Sequence, residues 1–455
     1  MTAADPNDPG LLDASEVGLL SDLYELTMAA SYHREGLDRP AVFELFVRHL
    51  PPHRGWLLAA GIGPTLRLIS EMRFGPGELS YLRGLGFGEE FLDYLAEFRF
   101  GGDIDAMPEG TLCFADEPLV RVTGRRIEAQ LLETVLLNQV NFQTMVATKA
   151  ARIALAAGGG EPGAGERLID FSPRRDHGID AAMKVARCAA IAGFAGTSNV
   201  AAARRYGLAP MGTMAHSYVL SFPDEATAFR AFLGAFPERG VLLVDTYEIL
   251  GGVRAAIEAA RETGVSLQGV RIDSGELGDC ARKARVLLDE AGMAETEIIV
   301  SGDLDEVKIA ELVASDTPID RFGVGTDLGT SRDSPVVNGV YKLVADAAPD
   351  GGWHGVRKLS AGKQTLPGPK QVFRRIADGE LAGDTVAGEA EETDGYPLLV
   401  PVMRKGEIAA SETLEQIRDR TDSSLRSLPR YLRPPEPERD YPVEISEALL
   451  ASAGR

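Results

Sequence analysis

Residues 167–325 repeat one pattern: a short apolar run, then a polar or glycine-containing cluster, then a segment of helix-forming residues. The apolar character of each run is continuous rather than alternating, which is typical of strands that are covered on both faces of a parallel sheet. We therefore predict buried parallel strands at RLIDF (167–171), IAGFAG (191–196), APMGTM (209–214), GVLLVD (240–245), GVRID (269–273), EIIVSG (297–302) and RFGVG (321–325).

Helix-forming segments separate these strands. Two of them, VRAAIEAARETG (253–264) and CARKARVLLDEAG (280–292), end in glycine, as helix C-termini commonly do. The alternation predicts an α/β fold with an irregular TIM-like (β/α) barrel, although an open doubly wound sheet would give a similar sequence pattern. In either architecture, the residues that bind and react lie at the carboxyl ends of the strands.

The chain of 455 residues is longer than the roughly 250–300 residues that one hydrophobic core usually organises, so we expect more than one domain. Residues 1–150 lack the repeat and combine a helical segment at 16–36 with the alternating run AVFELFVRHL (41–50), which predicts an α+β domain. We assign the barrel to residues 151–345. Residues 346–455 are expected to return to the N-terminal domain, so that both ends of the chain build it.

Composition argues against several classes of partner. A net charge of −21 and the lack of a long run of Lys and Arg argue against nucleic acid. No stretch approaches the roughly 20 apolar residues of a membrane span, and MTAADPNDPG at the start lacks the pattern of a secretion signal, so we expect a cytoplasmic protein without a membrane partner. The three cysteines are too widely spaced to indicate a CxxC metal site or a disulfide framework.

The glycine-rich segment AAGGGEPGAGE (156–166) contains the pattern GxGxxG, from Gly158 to Gly163. It follows a helix-like stretch and precedes a strand, whereas a dinucleotide-binding loop follows a strand and precedes a helix. We interpret the segment as a flexible loop. The sequence has no Walker-type GxxxxGKS/T motif, so any use of ATP must proceed without that loop.

One histidine differs from the others by its place in the pattern. His216, in GTMAHSYVLSF, follows a predicted strand and is expected to project into the mouth of the barrel. The next strand ends in Asp245, whose carboxylate can bind the second ring nitrogen, fix the tautomer and raise the basicity of the imidazole. A lone histidine is more often structural, but this pairing is typical of a nucleophilic imidazole.

Charged residues and glycines follow the remaining strands. The carboxylates of Asp273 and Asp303 suit ribose hydroxyls or Mg²⁺, and Arg271 lies beside the first of them. Glycines allow a phosphate to approach the backbone N–H groups closely, and an arginine can add a charge-assisted contact to the same phosphate. The candidates for phosphate binding are Gly302, Gly323, Gly325, Thr326 and Arg332.

Eight ordered segments, from about residue 17 to about residue 376, resemble the signatures of nicotinate phosphoribosyltransferases. They are LLSDLYELTMAASY, AGFAGTSNVAAARRYG, GTMAHSYVLSF, LLVDTYEILGGV, RIDSG, VSGDLDE, FGVGTDLGTS and KLSAGKQTLPGPKQVFR. The resemblance implies a type II phosphoribosyltransferase fold, in which an α/β barrel is joined to a second domain built from both chain ends and two subunits form a homodimer with shared active sites.

The same resemblance implies a reaction. Nicotinate would react with phosphoribosyl pyrophosphate to give nicotinate mononucleotide and pyrophosphate, as a salvage step of NAD biosynthesis. The enzyme would be an ATP-dependent ligase that requires Mg²⁺, with ATP as a co-substrate that phosphorylates His216 while Asp245 lies beside it. Tyr24 from the neighbouring subunit and Phe171 would stack on the two faces of the pyridine ring, and Arg271 would lie near its carboxylate.

Further roles carried over from the family concern anions and substrate choice. Arg48 and Arg174 would face the pyrophosphate or phosphate groups. Ser198 stands where the related nicotinamide enzymes have an aspartate, which would repel nicotinate, so serine predicts the acid as substrate; Ser198 also fits a plain helix N-cap. The segment FSPRRDH (171–177) departs from the commoner family pattern, and we interpret its His177 as a loop residue.

Two alternatives remain open. The first is a related enzyme that prefers nicotinamide or quinolinate. The second is a catalytically silent barrel that binds nucleotides as a regulator or scaffold. The presence of His216, Asp245, Asp273 and Asp303 weighs against the second alternative.

Overall fold

The computed structural model describes residues 11, 12, 14–349, 351–358 and 365–453. The first ten residues, and the part of the predicted motif KLSAGKQTLPGPKQVFR at 359–364, lie outside the described residues. None of the described helices is both long enough and apolar enough to cross a membrane. The chain divides into two compact units: unit 1 comprises Met1–Thr148, Val336–Leu432 and Glu436–Arg455, and unit 2 comprises Lys149–Pro335 and Arg433–Pro435.

Unit 2 alternates strands and helices. Its strands are β1 (Leu168–Asp170), β2 (Gly196–Thr197), β3 (Ala209–Pro210), β4 (Val241–Leu243), β5 (Gly269–Ile272), β6 (Glu297–Val300) and β7 (Arg321–Val324). Its helices are α1 (Ile179–Ile191), α2 (Val200–Tyr206), α3 (His216–Val219), α4 (Glu225–Ala235), α5 (Ile249–Thr263), α6 (Leu277–Glu290), α7 (Glu306–Ala314) and α8 (Thr326–Thr330), together with the end of the helix Glu133–Ala157.

The seven strands of unit 2 form one parallel sheet in the order β3-β2-β1-β7-β6-β5-β4. Consecutive strands are neighbours except β3 and β4, and the last strand pairs with the first, Phe322 opposite Leu168 and Val324 opposite Asp170. A doubly wound sheet lacks that pairing, so the sheet is a curled, incomplete barrel that stays unpaired between β3 and β4. The predicted irregular TIM-like barrel is therefore confirmed. We call the unpaired gap between β3 and β4 the seam, and His216 lies in the chain segment that connects these two strands.

One predicted strand is wrong. The run IAGFAG (191–196) was expected to be a strand, but α1 continues to Ile191 and β2 begins only at Gly196. Gly193 has φ of 92°, and the Phe194 N–H donates to the Ala189 carbonyl at 3.1 Å, so the helix ends in a glycine-based turn. A short apolar run of small residues does not distinguish a buried helix end from a buried strand.

Local sequence signals explain where several helices of unit 2 begin. The side chains of Asp224, Glu248 and Asp305 accept hydrogen bonds from the first backbone N–H groups of α4, α5 and α7. These N–H groups have no partner within the helix, so each cap stabilises its helix by about 1 kcal/mol. Glu248 and Asp305 begin their helices soon after β4 and β6 end, and this leaves the short connecting segments at the carboxyl edge of the sheet.

Unit 1 is an α+β assembly of both chain ends. Its seven-stranded sheet has the order Trp353–Gly355, Gly339–Ala347, Pro40–Val47, Pro118–Arg125, Asp103–Ala106, Val400–Arg404 and Glu407–Ile408. A four-stranded sheet has the order Tyr396–Pro397, Lys370–Ala377, Glu380–Gly388 and Val443–Ile445, and Leu57–Leu58 pairs with Leu112–Cys113. The α-helices are Leu23–Arg34, Ile62–Glu71, Pro76–Gly84, Glu89–Ala96, Arg126–Gln130, the first part of Glu133–Ala157, Leu414–Arg426 and Glu447–Ser452.

Two details of unit 1 differ from the sequence interpretation. Residues 336–345 were assigned to the barrel, but the strand Gly339–Ala347 pairs with Pro40–Val47 in unit 1. The sequence pattern at 41–50 predicts a strand with one buried face, whereas every residue from Ala41 to Val47 is buried. The charged residue in this strand, Glu44, is buried because it pairs with Lys370, whose Nζ lies 2.7 Å from its carboxylate.

A buried polar network holds the C-terminal tail in unit 1. Arg374 and Asp384 are cross-strand partners, and the Arg374 Nε donates to the Asp384 carboxylate at 3.0 Å. The Tyr441 hydroxyl donates to the same carboxylate at 2.9 Å and accepts from the Gly383 N–H at 3.0 Å. Burial, and then the nearby Asp384, raise the pKa of Glu117 well above its usual range. The tail residue Tyr441 is therefore part of the core.

Substitution of Arg374 tests this network. Arg374→Met should lower the free energy of unfolding by about 3–5 kcal/mol, because it leaves the Asp384 carboxylate buried without its cation. Urea unfolding followed by circular dichroism measures the change. The matched control is Arg375→Met on the same strand, whose guanidinium lies 3.8 Å from an exposed Glu444, and it should cost about 1 kcal/mol or less. Equal losses in the two variants would contradict the assignment.

Candidate active site

The carboxyl ends of the parallel strands in unit 2 meet at one rim, and the predicted polar residues lie there. Asp245 follows β4, Asp273 follows β5, and Ser301 follows β6. His216 is the first residue of the short helix α3, beside the unpaired seam. Because the strands are parallel, their ends bring together residues that are far apart in the sequence.

His216 and Asp245 face each other. The Nε2 of His216 lies 4.0 Å from Oδ1 of Asp245, and Nδ1 lies 3.2 Å from the Thr246 hydroxyl. The imidazole is 43% exposed, whereas the Asp245 side chain is fully buried. Oδ2 of Asp245 accepts from the Asp273 N–H at 2.9 Å and from the Ser274 hydroxyl at 2.6 Å, while Oδ1 has no hydrogen-bond partner among the described residues. The carboxylate is thus fixed, with one oxygen available on the side of the imidazole.

Arg271, Asp273 and Ser301 form a second connected group. The guanidinium of Arg271 donates to Oδ1 of Asp273 at 2.7 Å and to the Ser301 hydroxyl at 2.8 Å, and this hydroxyl also donates to Asp273. Burial opposes ionisation of Asp273, but the Ser301 hydrogen bond and the Arg271 charge together hold its pKa below the usual value. Arg271 also donates to the Thr213 hydroxyl at 3.4 Å. Neither Ser301 nor Thr213 is among the candidates from the sequence, although both lie within predicted strands, at 297–302 and 209–214.

Phe171 packs against Gly323 of β7. The Cζ of Arg271 lies 5.0 Å from the centroid of the Phe171 ring, a cation–π distance. A Cβ atom on Gly323 would lie 2.4 Å from the same ring, so the group that approaches Gly323 in this structure is Phe171. The predicted aromatic residue and the predicted arginine are therefore in contact.

The phosphate candidates after β6 and β7 have distinct environments. Gly302 has φ of 102°, and a Cβ atom there would lie 2.3 Å from the Asp273 carbonyl, so only glycine fits. Asp303 also has a left-handed backbone, with φ of 47°. Gly325 precedes α8, and Thr326 is the first residue of that helix.

Arg332 lies after α8 and is 56% exposed. Its Nη2 is 2.9 Å from Oδ2 of the buried Asp327. Burial raises the pKa of Asp327, and the charges of Lys149 and Arg332 oppose this rise. Arg332 is therefore tied at one side to a buried carboxylate while the rest of its guanidinium faces solvent.

The interpretation of Ser198 as a helix N-cap is wrong. Ser198 is not the N-cap of α2, because Asn199 occupies that place and its side chain accepts from the Ala202 N–H at 3.1 Å. Ser198 instead donates its backbone N–H to the Asp170 carbonyl at 2.8 Å, at the carboxyl end of the sheet. Arg174 and His177 are exposed in the loop between β1 and α1.

Two candidates belong to unit 1. Tyr24 is the second residue of the helix Leu23–Arg34 and is half exposed. Burial, and then the nearby Glu133, raise its pKa above the ordinary range. Arg48 follows the strand Pro40–Val47, with its Cζ 5.4 Å from the Phe46 ring and a buried Nε that makes no hydrogen bond within the described residues.

The described residues contain no preformed metal-binding cluster. In the parts of the chain that the structure describes, no three His, Cys, Asp or Glu side chains form a metal-binding group. Mg²⁺ in phosphate enzymes is commonly held by one or two carboxylates and by substrate oxygens. Asp273 and Asp303 follow adjacent strands, so their carboxylates are the candidates on this rim for contact with such an ion.

The curled parallel sheet, with its α+β companion unit and polar rim, corresponds to the fold of type II phosphoribosyltransferases. The chain matches the nicotinate phosphoribosyltransferase N-terminal domain model over residues 19–141 and the nicotinate phosphoribosyltransferase family model over residues 167–358. The chain belongs to the nicotinate phosphoribosyltransferase family.

Individual relatives agree with this placement. The chain is 45% identical to nicotinate phosphoribosyltransferase pncB2 of Mycobacterium tuberculosis, over 96% of this chain and 93% of the relative. It is 42% identical to the nicotinate phosphoribosyltransferase of Bacillus subtilis, over 82% of this chain and 76% of the relative. The crystal structure of human nicotinic acid phosphoribosyltransferase matches with a TM-score of 0.81 at 28% identity, covering 96% of this chain and 99% of that one.

One hydroxyl near the rim lies between two carboxylates. The Ser172 Oγ is 2.6 Å from Oδ1 of Asp170 and 3.1 Å from Oδ2 of Asp176. A single hydroxyl proton cannot serve both oxygens. Burial and the Asp170 charge raise the pKa of Asp176 to about 7, although the Ser172 hydrogen bond opposes the rise. The segment that departs from the commoner family pattern thus contains a carboxyl that titrates near neutral pH.

The effect of Asp176 on stability follows from linkage. Its carboxyl titrates near about 4 in an unfolded chain, so its contribution to stability is complete below that pH and is lost as pH rises through about 7. Asp176→Asn stays neutral, so its free energy of unfolding relative to the original chain should rise by about 1 kcal/mol between pH 5 and pH 8, after allowance for solvent screening. Urea unfolding at both pH values measures this. Asp279→Asn on the exposed side of α6 is the control, and a parallel shift in it would refute the assignment.

Proposed function

We propose that the chain is a nicotinate phosphoribosyltransferase, which joins nicotinate to phosphoribosyl pyrophosphate and forms nicotinate mononucleotide and pyrophosphate in NAD biosynthesis. The proposal rests chiefly on the rim of unit 2, where His216 and Asp245 lie beside the Arg271–Asp273–Ser301 group. The names of relatives that match nearly the whole chain support the same reaction. A soluble cytoplasmic enzyme is consistent with this role.

The pyridine ring would lie on Phe171, with its carboxylate near Arg271. The 5.0 Å contact between the Arg271 guanidinium and the Phe171 ring places a cation beside an aromatic face, which suits a flat aromatic anion. Tyr24 of the partner subunit would cover the other face of the ring, so the active site would be complete only in a homodimer. Ser198, at the end of β2, would leave room for the carboxylate of nicotinate.

The phosphoribosyl donor would lie across the ends of β5, β6 and β7. Asp273 and Asp303 would accept hydrogen bonds from the ribose hydroxyls and share a magnesium ion with the pyrophosphate, which would neutralise charge on the leaving group. Arg48 and Arg174 would contact the pyrophosphate. The 5′-phosphate would bind at Gly302, Gly325, Thr326 and Arg332, whereas the ring of Phe171 already lies against the predicted candidate Gly323.

The reaction breaks one bond and forms one. The pyridine nitrogen attacks C1 of the ribose, the bond from C1 to the pyrophosphate oxygen breaks, and pyrophosphate leaves with both electrons. The positive charge that develops on the ribose is stabilised by the departing pyrophosphate and by nearby carboxylates, Asp273 among them. The protein therefore acts by orientation and electrostatics, without a covalent bond to the ribose.

ATP would act through His216. A ring nitrogen of His216 attacks the γ-phosphorus of ATP, ADP leaves, and water later cleaves the N–P bond to release phosphate. Asp245 would hold the proton on the other ring nitrogen; its one unpaired oxygen faces the imidazole at 4.0 Å and would have to come closer to accept that hydrogen bond. The phosphorylated state would favour nucleotide formation, and hydrolysis would reset the enzyme.

Replacement of His216 tests the coupling to ATP. His216→Ala should lose all stimulation by ATP and retain only slow, ATP-independent turnover, because no nucleophile remains for the γ-phosphate. Incubation with labelled ATP, followed by mapping of acid-labile phosphate, measures phosphorylation directly. The control His354→Ala removes an exposed histidine in unit 1 and should behave like the original chain. Full ATP stimulation of His216→Ala would disprove this role.

Substrate choice is tested at Ser198. The original chain should prefer nicotinate over nicotinamide and quinolinate when the three compete in one assay. Ser198→Asp should lower kcat/KM for nicotinate by roughly ten- to a hundredfold, because a second carboxylate repels the substrate. Ser198→Asn has the same shape without the charge and should lose far less. A clear preference of the original chain for nicotinamide would reject this argument, and no release of pyrophosphate with any substrate would favour the non-catalytic alternative.

A further inference from the structure

A buried lysine lies behind the loop that contains Arg332. Lys149, in the helix Glu133–Ala157, has a side chain that is only 1% exposed. Its Nζ donates to the Glu306 carboxylate and to Oδ1 of Asp333 at 2.9 Å. Lysine is almost never fully buried unless it is paired, so these two carboxylates are what allow the charged Lys149 side chain to be buried.

The charges around Lys149 explain why the Asp333 carboxylate stays bound to the lysine. Lys149 and Arg152 are neighbours on one face of their helix, and the Arg152 Nε donates to Glu306 at 3.0 Å. Burial opposes ionisation of Glu306, but the two cations lower its pKa and keep it charged. Two buried cations share this one carboxylate, and Asp333 supplies a second negative charge. The attraction therefore fixes the residue that follows Arg332.

The loop itself has a backbone that needs support. Ser331 has a left-handed φ of 44°, which non-glycine residues rarely adopt. Its hydroxyl donates to the Ser334 carbonyl at 2.8 Å, and the Ser334 N–H donates back to the Ser331 carbonyl at 2.8 Å. Such conformations persist only where surrounding contacts hold them. The Lys149–Asp333 contact anchors this turn to the helix behind it.

The same lysine acts on the other side of Arg332. Arg332 is paired with Asp327 at 2.9 Å, and the Lys149 charge opposes the rise in the pKa of Asp327 caused by burial. Lys149 therefore favours the charged form of the carboxylate that holds Arg332, and it binds the carboxylate next to Arg332 along the chain. One buried cation stabilises both neighbours of the guanidinium.

We infer that Lys149 is a positioning residue for phosphate: through Asp333 and the Ser331–Ser334 turn, it holds Arg332 where that arginine can bind the phosphoribosyl donor. Lys149 does not touch the substrate. The inference rests on the proposed function, in which Arg332 binds the 5′-phosphate. It predicts that a weakened Lys149–Asp333 contact impairs binding of phosphoribosyl pyrophosphate and leaves the nicotinate site unchanged.

Asp333→Asn is the sharpest test, because it removes one charge at a partly exposed position and leaves the buried Lys149–Glu306 pair in place. In steady-state assays of the full chain, its KM for phosphoribosyl pyrophosphate should rise about tenfold, while KM for nicotinate and kcat stay within about twofold. Asp333→Glu should restore part of the loss. The matched control Asp289→Asn breaks the exposed ion pair with Arg285 on α6 and should leave both KM values unchanged.

The outcomes separate the inference from the function on which it rests. If the original chain shows no turnover with phosphoribosyl pyrophosphate, the proposed function fails. If the original chain is active and Asp333→Asn has an unchanged KM for that substrate, or raises both KM values equally, the positioning role is wrong. Lys149→Met is a second test, and it too should raise KM for phosphoribosyl pyrophosphate. Thermal unfolding measured in parallel shows whether this variant is folded. A folded variant with normal KM values would also overturn the inference.

Discussion

The buried carboxylate of Asp245 is the constraint on which the rim depends. One of its oxygens accepts hydrogen bonds from the Asp273 N–H and the Ser274 hydroxyl, which joins the ends of β4 and β5. The other oxygen lies 4.0 Å from Nε2 of His216, on a separate short helix, and accepts no hydrogen bond within the described residues. A buried carboxylate without hydrogen-bond partners would cost several kcal/mol. The two strand ends are therefore held together by the need to satisfy one buried carboxylate, and its remaining oxygen faces the imidazole.

Short hydroxyl side chains set the geometry of the longer charged ones. Ser301 accepts from Arg271 and donates to Asp273, and the Thr246 hydroxyl contacts Nδ1 of His216. A hydroxyl can both donate and accept, so it can bridge groups of either character. Ser301 and Thr246 were missed as candidates because serine and threonine are common in every part of a sequence. Only their partners in space reveal their role.

Much of the fold was predictable because buried parallel strands leave a strong pattern. The continuous apolar runs identified the strands of the barrel, and their glycine-ended helices identified the connections. The run at 191–196 misled because small apolar residues fit a buried helix end as well as a strand. Residues 336–345 were placed in the barrel because their partner strand, Pro40–Val47, lies almost three hundred residues away, and local pattern contains no information about such pairing.

The sequence by itself determined the strand pattern, the family signatures and the residue types at the strand ends, because these depend on local order along the chain. Tertiary structure decided which of those residues meet: it joined Arg271 to Phe171 and Asp273, tied Arg332 to Asp327, and paired β7 with β1 to curl the sheet. It also placed Lys149 behind Asp333, a pairing across 184 residues. Distances of this kind are set by packing and by compensation of buried charge, which no local pattern encodes.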